Sequence, residues 1–254
     1  MSKRALVRRP GPRLAEGLVT HIERSAIDFE LALAQWDGYV AALHDEGWET
    51  IEVPPADDCP DAVFVEDTVV VYGDLAVISR PGADERKPET AAVEDTMLRL
   101  GYRIAHIAEP GTLDGGDVLK HEGFVWVGLG GRTNHFGLEQ LDAALSQVGA
   151  RLVGVPLSRV LHLKSAVTAL PDGTIVGYRP LVDDPDTWPT LLEVPEEAGS
   201  HVVVLDEQTV LMSTSAPLTA ELFAARGLRV VPVDLTEYEK LEGCVTCLSV
   251  RLRG

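Results

Sequence analysis

Residues 202–233 read VVVLDEQTVLMSTSAPLTAELFAARGLRVVPV, and this stretch contains the repeating pattern of the chain. Residues 202–205 and 209–212 are runs of β-branched and aliphatic residues on either side of Asp206-Glu207, which is typical of two short paired strands. Residues 216–225 favour a helix, and residues 228–233 form a third apolar run. The stretch therefore predicts a strand-turn-strand-helix-strand unit.

The same unit recurs upstream at intervals of roughly 35 to 50 residues, a period typical of repeat and propeller folds. The first copy contains strand material at 63–65, 68–72, 75–79 and 103–107, with a helix at 89–100. The second contains strands at 117–119, 124–127 and 151–155, with a helix at 136–148, and the third contains strands at 160–162, 174–176 and 191–194, without an assigned helix. We expect each copy to form one ββαβ module.

The two ends of the chain supply the material for a further module. A helix over 28–46 lies between strands at 5–7 and 48–53. The last dozen residues, 241–252, predict a buried strand that would complete this module and close a ring without open sheet edges. The sequence thus predicts a single domain, residues 1–254, of four or five ββαβ modules around a central axis. The rival, a doubly wound sheet, expects single strands alternating with helices.

The composition restricts the partners of the protein. The chain has 254 residues, 45% of them hydrophobic, and a formal net charge of −18. This charge disfavours nucleic acid and anionic membrane surfaces and is compatible with a cationic ligand. No segment approaches the ~20 apolar residues of a membrane span, and three cysteines form no even disulfide framework. We expect a soluble, cytoplasmic protein without a nucleic-acid or membrane partner.

Cys247 is the candidate nucleophile. It lies in the last predicted strand, flanked by the small polar residues Thr246 and Ser249. A buried core thiol is the alternative, because free cysteine is among the most buried residue types. Cys244 lies three positions earlier, but a zinc site would need a second such pair, and a reactive dithiol is typical of a helix N-terminus. The spacing therefore disfavours metal binding and thiol-disulfide chemistry.

Carboxylates interrupt the apolar pattern at two places. Asp61, Glu66 and Asp67 surround an apolar run, where acids are costly unless they are paired or used. A solvated link between two strands is the alternative. Further along the chain, two glycines separate Asp114 from Asp117 and allow a close backbone approach, although a simple turn has the same composition.

One imidazole and two guanidinium groups complete the candidate site. His162 lies in a predicted strand between two leucines, where a core histidine is the commoner outcome. Arg86 and Arg132 follow strands at equivalent places in successive repeats, and two converging arginines could clamp a carboxylate. A thiol, an imidazole and a carboxylate form a nucleophile-base-orienter arrangement. The remaining acids and the arginines predict an amino-acid ligand with a cationic side chain.

Five motifs occur in order along nearly the whole chain: Phe-Val-Glu-Asp at 64–67, Leu-Asp-Gly-Gly-Asp at 113–117, Arg-Thr-Asn at 132–134, Leu-His-Leu-Lys-Ser at 161–165 and Thr-Cys-Leu-Ser at 246–249. As a set, they resemble the motifs of the dimethylarginine dimethylaminohydrolases, a family of the guanidine-modifying or pentein superfamily. The resemblance implies a five-bladed α/β propeller with a pseudo-five-fold axis, which agrees with the repeat count.

The resemblance also implies roles for individual residues. Cys247 is the implied nucleophile, His162 the general acid/base, and Asp114 its acidic partner, at a position where some bacterial members have Glu. The implied substrate-binding acids are Asp61, Glu66 and Asp67, of which Asp67 is expected to contact the guanidinium directly. The other implied contacts are Arg86 and Arg132 for the carboxylate, and backbone carbonyl groups near Leu18 and Leu241 for the α-amino group. Cys244 is expected to be structural. No cofactor and no metal ion are implied, and a homodimer is left open.

The implied reaction is the hydrolysis of Nω-methylated L-arginine to L-citrulline and an alkylamine, through a covalent S-alkylthiouronium on Cys247. Arginine deiminases share the fold and the intermediate, but they resemble Phe-Thr-Arg-Asp and His-Leu-Asp-Thr at the corresponding motifs and carry a helical insertion. A ring-shaped binding module, such as a ribosome anti-association factor, would lack the thiol and the imidazole. A thiol redox protein would need a Cys244–Cys247 disulfide. The motifs and the compact length favour the dimethylaminohydrolase.

Overall fold

The computed structural model describes residues 3–121, 123–188 and 190–252. The strands of this part of the chain are β1 (Arg4–Val7), β2 (Glu49–Glu52), β3 (Val69–Tyr72), β4 (Leu75–Ile78), β5 (Arg103–His106), β6 (Val118–His121), β7 (Phe124–Leu129), β8 (Arg151–Pro156), β9 (Val167–Ala169), β10 (Ile175–Gly177), β11 (Leu191–Glu193), β12 (Val203–Val204), β13 (Thr209–Ser213), β14 (Arg229–Val233) and β15 (Val250–Leu252). The α-helices are α1 (Phe29–Asp45), α2 (Thr90–Arg99), α3 (His135–Leu145), α4 (Leu163–Ala166), α5 (Pro217–Ala225) and α6 (Thr236–Glu239).

The described strands form five three-stranded sheets, with the orders β3-β4-β5, β6-β7-β8, β9-β10-β11, β12-β13-β14 and β15-β1-β2. In each sheet the middle strand runs antiparallel to the first strand and parallel to the third. The parallel pair is bridged by α1, α2, α3 or α5 in four of the sheets. The predicted ββαβ module is confirmed, and the doubly wound sheet is wrong.

The fifth sheet joins the two ends of the chain. Strand β15 pairs antiparallel with β1, with Val250 opposite Leu6 and Leu252 opposite Arg4. Strand β1 pairs in parallel with β2 across α1. The prediction that the last strand completes the fifth module and closes the ring is therefore confirmed.

The extent of that last strand was predicted wrongly. Only Val250–Leu252 is a strand, and the residues between α6 and β15 form turns. Glu242 has a φ of 60°, and the Cys247 N–H donates to the Cys244 carbonyl at 3.1 Å, which is a turn hydrogen bond. Neither feature fits an extended strand. Cys247 therefore lies in a turn that leads into β15.

Helix α1 follows from its sequence signals. The Asp28 carboxylate caps the helix by accepting a hydrogen bond from the Leu31 N–H at 3.1 Å, as helix N-caps do. Trp36, Tyr39 and Leu43 bury one face in the largest hydrophobic cluster. Gly47 follows the helix with a φ of +76°, a conformation that favours glycine. The helix predicted over 28–46 is confirmed within one residue at each end.

Two other predicted strands are absent. Residues 63–64 precede a 3₁₀-helix, Val65–Thr68, which includes the third residue of the predicted strand, and residues 160–162 precede α4. In the third module, two 3₁₀-helices, Arg179–Leu181 and Pro185–Thr187, stand where the other modules have an α-helix. Proline near the start of each segment removes a backbone donor and favours short helical turns. The first strand of this module is β9 instead.

A cavity of ≈ 820 Å³ runs along the axis of the ring. Its lining includes residues of the first strand of every module, namely β3, β6, β9, β12 and β15. Glu66, Lys164 and Arg251 add charged groups to this lining.

The longest helix, α1, has 17 residues, and no helix of the described residues has the length and apolarity needed to cross a bilayer.

Candidate active site

Segments that immediately precede the first strands of the modules meet in one small pocket. Asp61 and Asp67 precede β3, His162 precedes β9, and Cys247 precedes β15. The pocket is completed by Leu18, Phe64, Arg86, Arg132, Leu161, Leu241, Glu242 and Gly243. All the site residues predicted from the sequence line this pocket except Asp114 and Glu66. The repeat architecture therefore brings distant motifs to a common point.

Asp114 lies directly behind His162. The His162 Nε2 atom is 3.0 Å from Asp114 Oδ2 and 3.9 Å from Asp67 Oδ1. The other oxygen of Asp114 accepts a hydrogen bond from the Gly82 N–H at 2.9 Å. The side chains of Asp67, Asp114 and His162 are all buried. The predicted pairing of His162 with Asp114 thus has the geometry of a hydrogen-bonded, oriented imidazole.

The two glycines of the 113–117 motif allow this close packing. A Cβ atom at Gly116 would lie 2.8 Å from the His162 ring, and one at Gly115 would lie 2.0 Å from the Glu66 carbonyl oxygen. The Gly116 N–H also donates to Asp67 Oδ1 at 2.8 Å. Side chains at these positions would therefore push the imidazole and the carboxylates apart.

His162 is held in its protonated form. Burial by itself would lower the pKa of His162, but the carboxylates of Asp67, Asp114 and Asp117 raise that pKa to about 9. An imidazolium in turn stabilises neighbouring carboxylates, and together with Arg86 it lowers the pKa of Asp67, against the opposing effect of burial. At neutral pH the pocket therefore contains a proton donor.

Cys247 contacts a second thiol. Its Sγ atom lies 3.4 Å from the Sγ atom of Cys244, and both thiols are free and buried. Contact with Cys244, burial, and the nearby carboxylates of Glu66 and Asp67 raise the pKa of the Cys247 thiol. The empty site therefore favours the thiol over the thiolate.

The acidic groups of the 60–68 segment do not all face the pocket. The two oxygens of the Asp61 carboxylate share a hydrogen bond from the Leu18 N–H, at 3.1 and 3.2 Å, and burial raises the pKa of Asp61. The Glu66 carboxylate instead lines the axial cavity, where it pairs with Lys164 at 2.5 Å and Arg251 at 3.4 Å. The structure thus places Glu66 behind the pocket rather than in it.

Arg86 and Arg132 both reach the pocket, but their environments differ. Arg86 donates to Asp67 at 2.6 Å and to both oxygens of Glu89 at 3.0 and 2.8 Å. Its guanidinium is therefore already paired with protein carboxylates. Arg132 Nη1 lies 3.5 Å from Asp114 Oδ2 and has no hydrogen-bond partner among the described residues. Of the two arginines, Arg132 is therefore the one whose Nη1 atom is ion-paired but makes no hydrogen bond to another described residue, so it retains a donor for a ligand carboxylate.

Several residues of the site were not predicted. Asp117 is buried beside Asp114, accepts hydrogen bonds from the Thr133 hydroxyl at 2.6 Å and the Leu163 N–H at 3.0 Å, and has a pKa that burial raises to about 7. The sequence feature that could have identified Asp117 as a site residue is its position in the 113–117 motif. Glu242 accepts hydrogen bonds from the Thr20 and His21 N–H groups, so it holds the segment after Leu18 against the pocket, and no sequence pattern indicated this contact.

One group of side chains has metal-like spacing. Among the described residues, Asp67, Asp114 and His162 each place one potential ligand atom within 4.8 Å of the others. A metal ion would bind the neutral imidazole and would therefore have to displace the His162 proton. Without an ion, the three side chains form ion pairs, with His162 Nε2 3.0 Å from Asp114 and 3.9 Å from Asp67.

The protein is a ring of five ββαβ modules in which a thiol and an imidazole meet in one pocket. These features place it in the class of pentein-type guanidine-modifying hydrolases. The chain is 63% identical over 252 residues to an N(G),N(G)-dimethylarginine dimethylaminohydrolase of Streptomyces coelicolor, which covers 99% of this chain and 98% of the relative. It is 34% identical to the protein of that name from Pseudomonas aeruginosa, over 99% of this chain and 100% of the relative. The chain therefore belongs to the dimethylarginine dimethylaminohydrolase family.

Solved structures agree with this membership. The enzyme from Pseudomonas aeruginosa, as a cysteine-to-serine mutant complexed with citrulline, superposes with a TM-score of 0.91 at 33% identity, covering 99% of this chain and 100% of that chain. No family model matches the chain.

Proposed function

We propose that the protein hydrolyses Nω-methylated L-arginine, as the asymmetric dimethyl or the monomethyl form, to L-citrulline and dimethylamine or methylamine. The observation that carries the proposal is the pocket in which Cys247, the His162 imidazolium and buried carboxylates meet, in a chain 63% identical to a dimethylarginine dimethylaminohydrolase. We further propose that residues 1–254 form one catalytic domain. A cytoplasmic location stays a prediction, and the oligomeric state stays open.

Binding of the substrate is the first step. The guanidinium of the substrate would face the carboxylates of Asp61 and Asp67, which line the pocket. Arg132, whose Nη1 atom makes no hydrogen bond within the described part of the chain, would bind the substrate carboxylate. Arg86 would join it only by giving up part of its pairing with Asp67 and Glu89. Backbone carbonyl groups near Leu18 and Leu241 would accept hydrogen bonds from the α-amino group. Glu66 would act from behind, through its charge.

The substrate itself would activate the nucleophile. The raised pKa of Cys247 means that little thiolate exists in the empty site, and only the thiolate attacks efficiently. A guanidinium bound beside the sulfur favours the charged form and lowers the thiol pKa. The thiol proton then passes to solvent, and the thiolate attacks the guanidinium carbon.

His162 would serve both halves of the reaction. As an imidazolium it gives its proton to the departing amine, when the carbon–nitrogen bond breaks and the S-alkylthiouronium forms on Cys247. The neutral imidazole that remains then takes a proton from water, and the resulting hydroxide attacks the thiouronium carbon. The carbon–sulfur bond then breaks and the hydroxyl proton passes to the departing Cys247 sulfur, which releases citrulline and restores the thiol. Asp114, within hydrogen-bond distance of Nε2, would keep the ring oriented throughout.

Parallel assays of three substrates test the proposal. We expect citrulline from asymmetric dimethylarginine and monomethylarginine, together with the matching alkylamine, and no citrulline from either substrate with Cys247→Ser, because serine cannot replace the thiolate at neutral pH. The variant should still bind substrate, which calorimetry measures. Citrulline formation by Cys247→Ser would contradict the mechanism.

The same assay separates the alternatives. Turnover of unmethylated arginine with release of ammonia, and none of the methylated substrates, would make the protein a deiminase-type hydrolase. If none of the three substrates is turned over, and a haloacetamidine does not alkylate the Cys247 thiol, the protein would be a binding module with a propeller fold.

A further inference from the structure

Cys244 is placed beside the nucleophile without a part in the proposed hydrolysis. Its Sγ atom lies 3.4 Å from that of Cys247, which is van der Waals contact and well above the S–S bond length of about 2.05 Å. Cys244 does not line the pocket, whereas Cys247 does. The pair therefore consists of one thiol that faces the pocket and one thiol directly behind it.

The local backbone creates this contact. In a strand, residues three apart point to opposite faces, so the predicted strand would have separated the two thiols. The turn that is present instead, closed by the hydrogen bond from the Cys247 N–H to the Cys244 carbonyl at 3.1 Å, brings both side chains to the same side. Thr246 contacts the Cys244 sulfur at 3.3 Å. The pair forms within one short segment, so closing it into a disulfide needs little movement of the rest of the fold.

We propose that Cys244 is the resolving thiol of a reversible oxidation of Cys247, in which a peroxide converts the pair into an intramolecular disulfide. The minor fraction of Cys247 that is thiolate attacks one oxygen of hydrogen peroxide, the O–O bond breaks, and the departing hydroxide takes up a proton as water. Cys247 is then a sulfenic acid. The Cys244 sulfur attacks the sulfenic sulfur, the S–O bond breaks, and the hydroxide leaves with the Cys244 proton as a second water. Two thiols are thereby oxidised and one peroxide is reduced.

The disulfide would switch the enzyme off and also protect it. With Cys247 in an S–S bond, no nucleophile remains and hydrolysis stops. Without a nearby thiol, a sulfenic acid is open to further oxidation to a sulfinic acid, which a dithiol does not reverse. A disulfide is reversed by thiol exchange. The second thiol therefore converts permanent damage into a recoverable state.

Peptide mapping tests the proposal independently of the assigned substrate. Trypsin should release residues 241–251, LEGCVTCLSVR, as one peptide that contains both thiols but not Cys59. After treatment of the folded protein with hydrogen peroxide and then with an alkylating agent, we expect this peptide to lack both alkyl groups and to have lost the mass of two hydrogen atoms. Dithiothreitol should restore both alkylation sites. Oxidation should be faster at higher pH, because the thiolate is the reactive form.

Activity measurements on three proteins complete the test. Wild type should lose its activity in peroxide and regain most of it with dithiothreitol, while Cys244→Ser should lose it and stay inactive, with Cys247 found as sulfinic acid. Cys59→Ser, which removes the remaining free thiol, should behave as wild type. Each protein is compared with its own untreated activity. A wild-type peptide that carries sulfinic acid instead of a disulfide, or equal recovery in Cys244→Ser, would overturn the proposal.

Discussion

His162 and its acidic neighbours show how single residues obtain their chemistry in this protein. Asp67, Asp114 and Asp117 come from two motifs, and their carboxylates together raise the pKa of His162 to about 9, although burial opposes this. The pKa of Cys247 is also raised, by contact with Cys244, by burial and by the carboxylates of Glu66 and Asp67, and this favours its neutral thiol. Without substrate, both the general acid, His162, and the nucleophile, Cys247, are therefore protonated. The positive charge of the substrate would then lower the pKa of the Cys247 thiol.

The raised pKa of His162 predicts a pH-dependent stability. The folded protein holds the His162 proton up to a pH of about 9, whereas an unfolded histidine releases it near 6.5. The contribution of this proton is thus fully present below pH ~6.5 and is lost as the pH rises to about 9, by no more than about 3 kcal/mol. We expect the free energy of unfolding in urea to fall over this window in wild type.

His162→Gln is the matched variant for this experiment, because it keeps a polar side chain without a titrating group. Its free energy of unfolding should fall less between pH 6 and 9 than that of wild type, since the remaining titrations are shared. Equal slopes for the two proteins would show that His162 is not held as an imidazolium.

At the scale of the element, local signals were sufficient where an element is stabilised by its own sequence. The helix α1 has its cap, its apolar face and its terminating glycine within one segment, and its predicted bounds are confirmed. The strands predicted at 63–65 and 160–162 have the same apolar composition as true strands, but they have no partner strand. A short apolar run is therefore ambiguous until the partner that would hydrogen-bond to it is known.

The N-cap of α1 gives a prediction at this scale. Asp28→Ala removes the carboxylate that accepts from the Leu31 N–H, so we expect a loss of about 1 kcal/mol in the free energy of unfolding, measured in urea. Asp45→Ala, at the exposed C-terminal end of the same helix, is the control. An acid there is unfavourably placed in the helix dipole, and its removal should not destabilise the protein. Equal losses in both variants would contradict the capping role.

At the scale of the molecule, ring closure links the two ends of the chain. Strand β15 is only three residues long, yet it pairs with β1 and places Val250 and Leu252 in the same hydrophobic cluster as Leu6 and Val69. It also follows directly after the turn that holds Cys247. The last strand therefore supports both the closed ring and the position of the nucleophile.

Truncating a side chain of that strand tests the importance of closure. We expect Leu252→Ala to lower the free energy of unfolding by about 2–5 kcal/mol, as for other fully buried leucines, because Leu252 is 1% exposed. Leu218→Ala, at a position of α5 that is 57% exposed, should change it by less than about 0.5 kcal/mol. A small effect at Leu252, similar to that at Leu218, would mean that the strand frays and that closure contributes little.

The sequence by itself determined the ββαβ repeat, the bounds of α1 and the motifs that meet in the pocket, because periodicity, capping residues and glycine pairs act over short distances. Only the tertiary structure decided which charges face each other. It placed Glu66 in the axial cavity with Lys164, paired Arg86 with Asp67 and Glu89, and replaced a predicted strand at Cys247 by a turn. Partner choice and pKa depend on burial and on residues distant in the chain, and no local pattern contains that information.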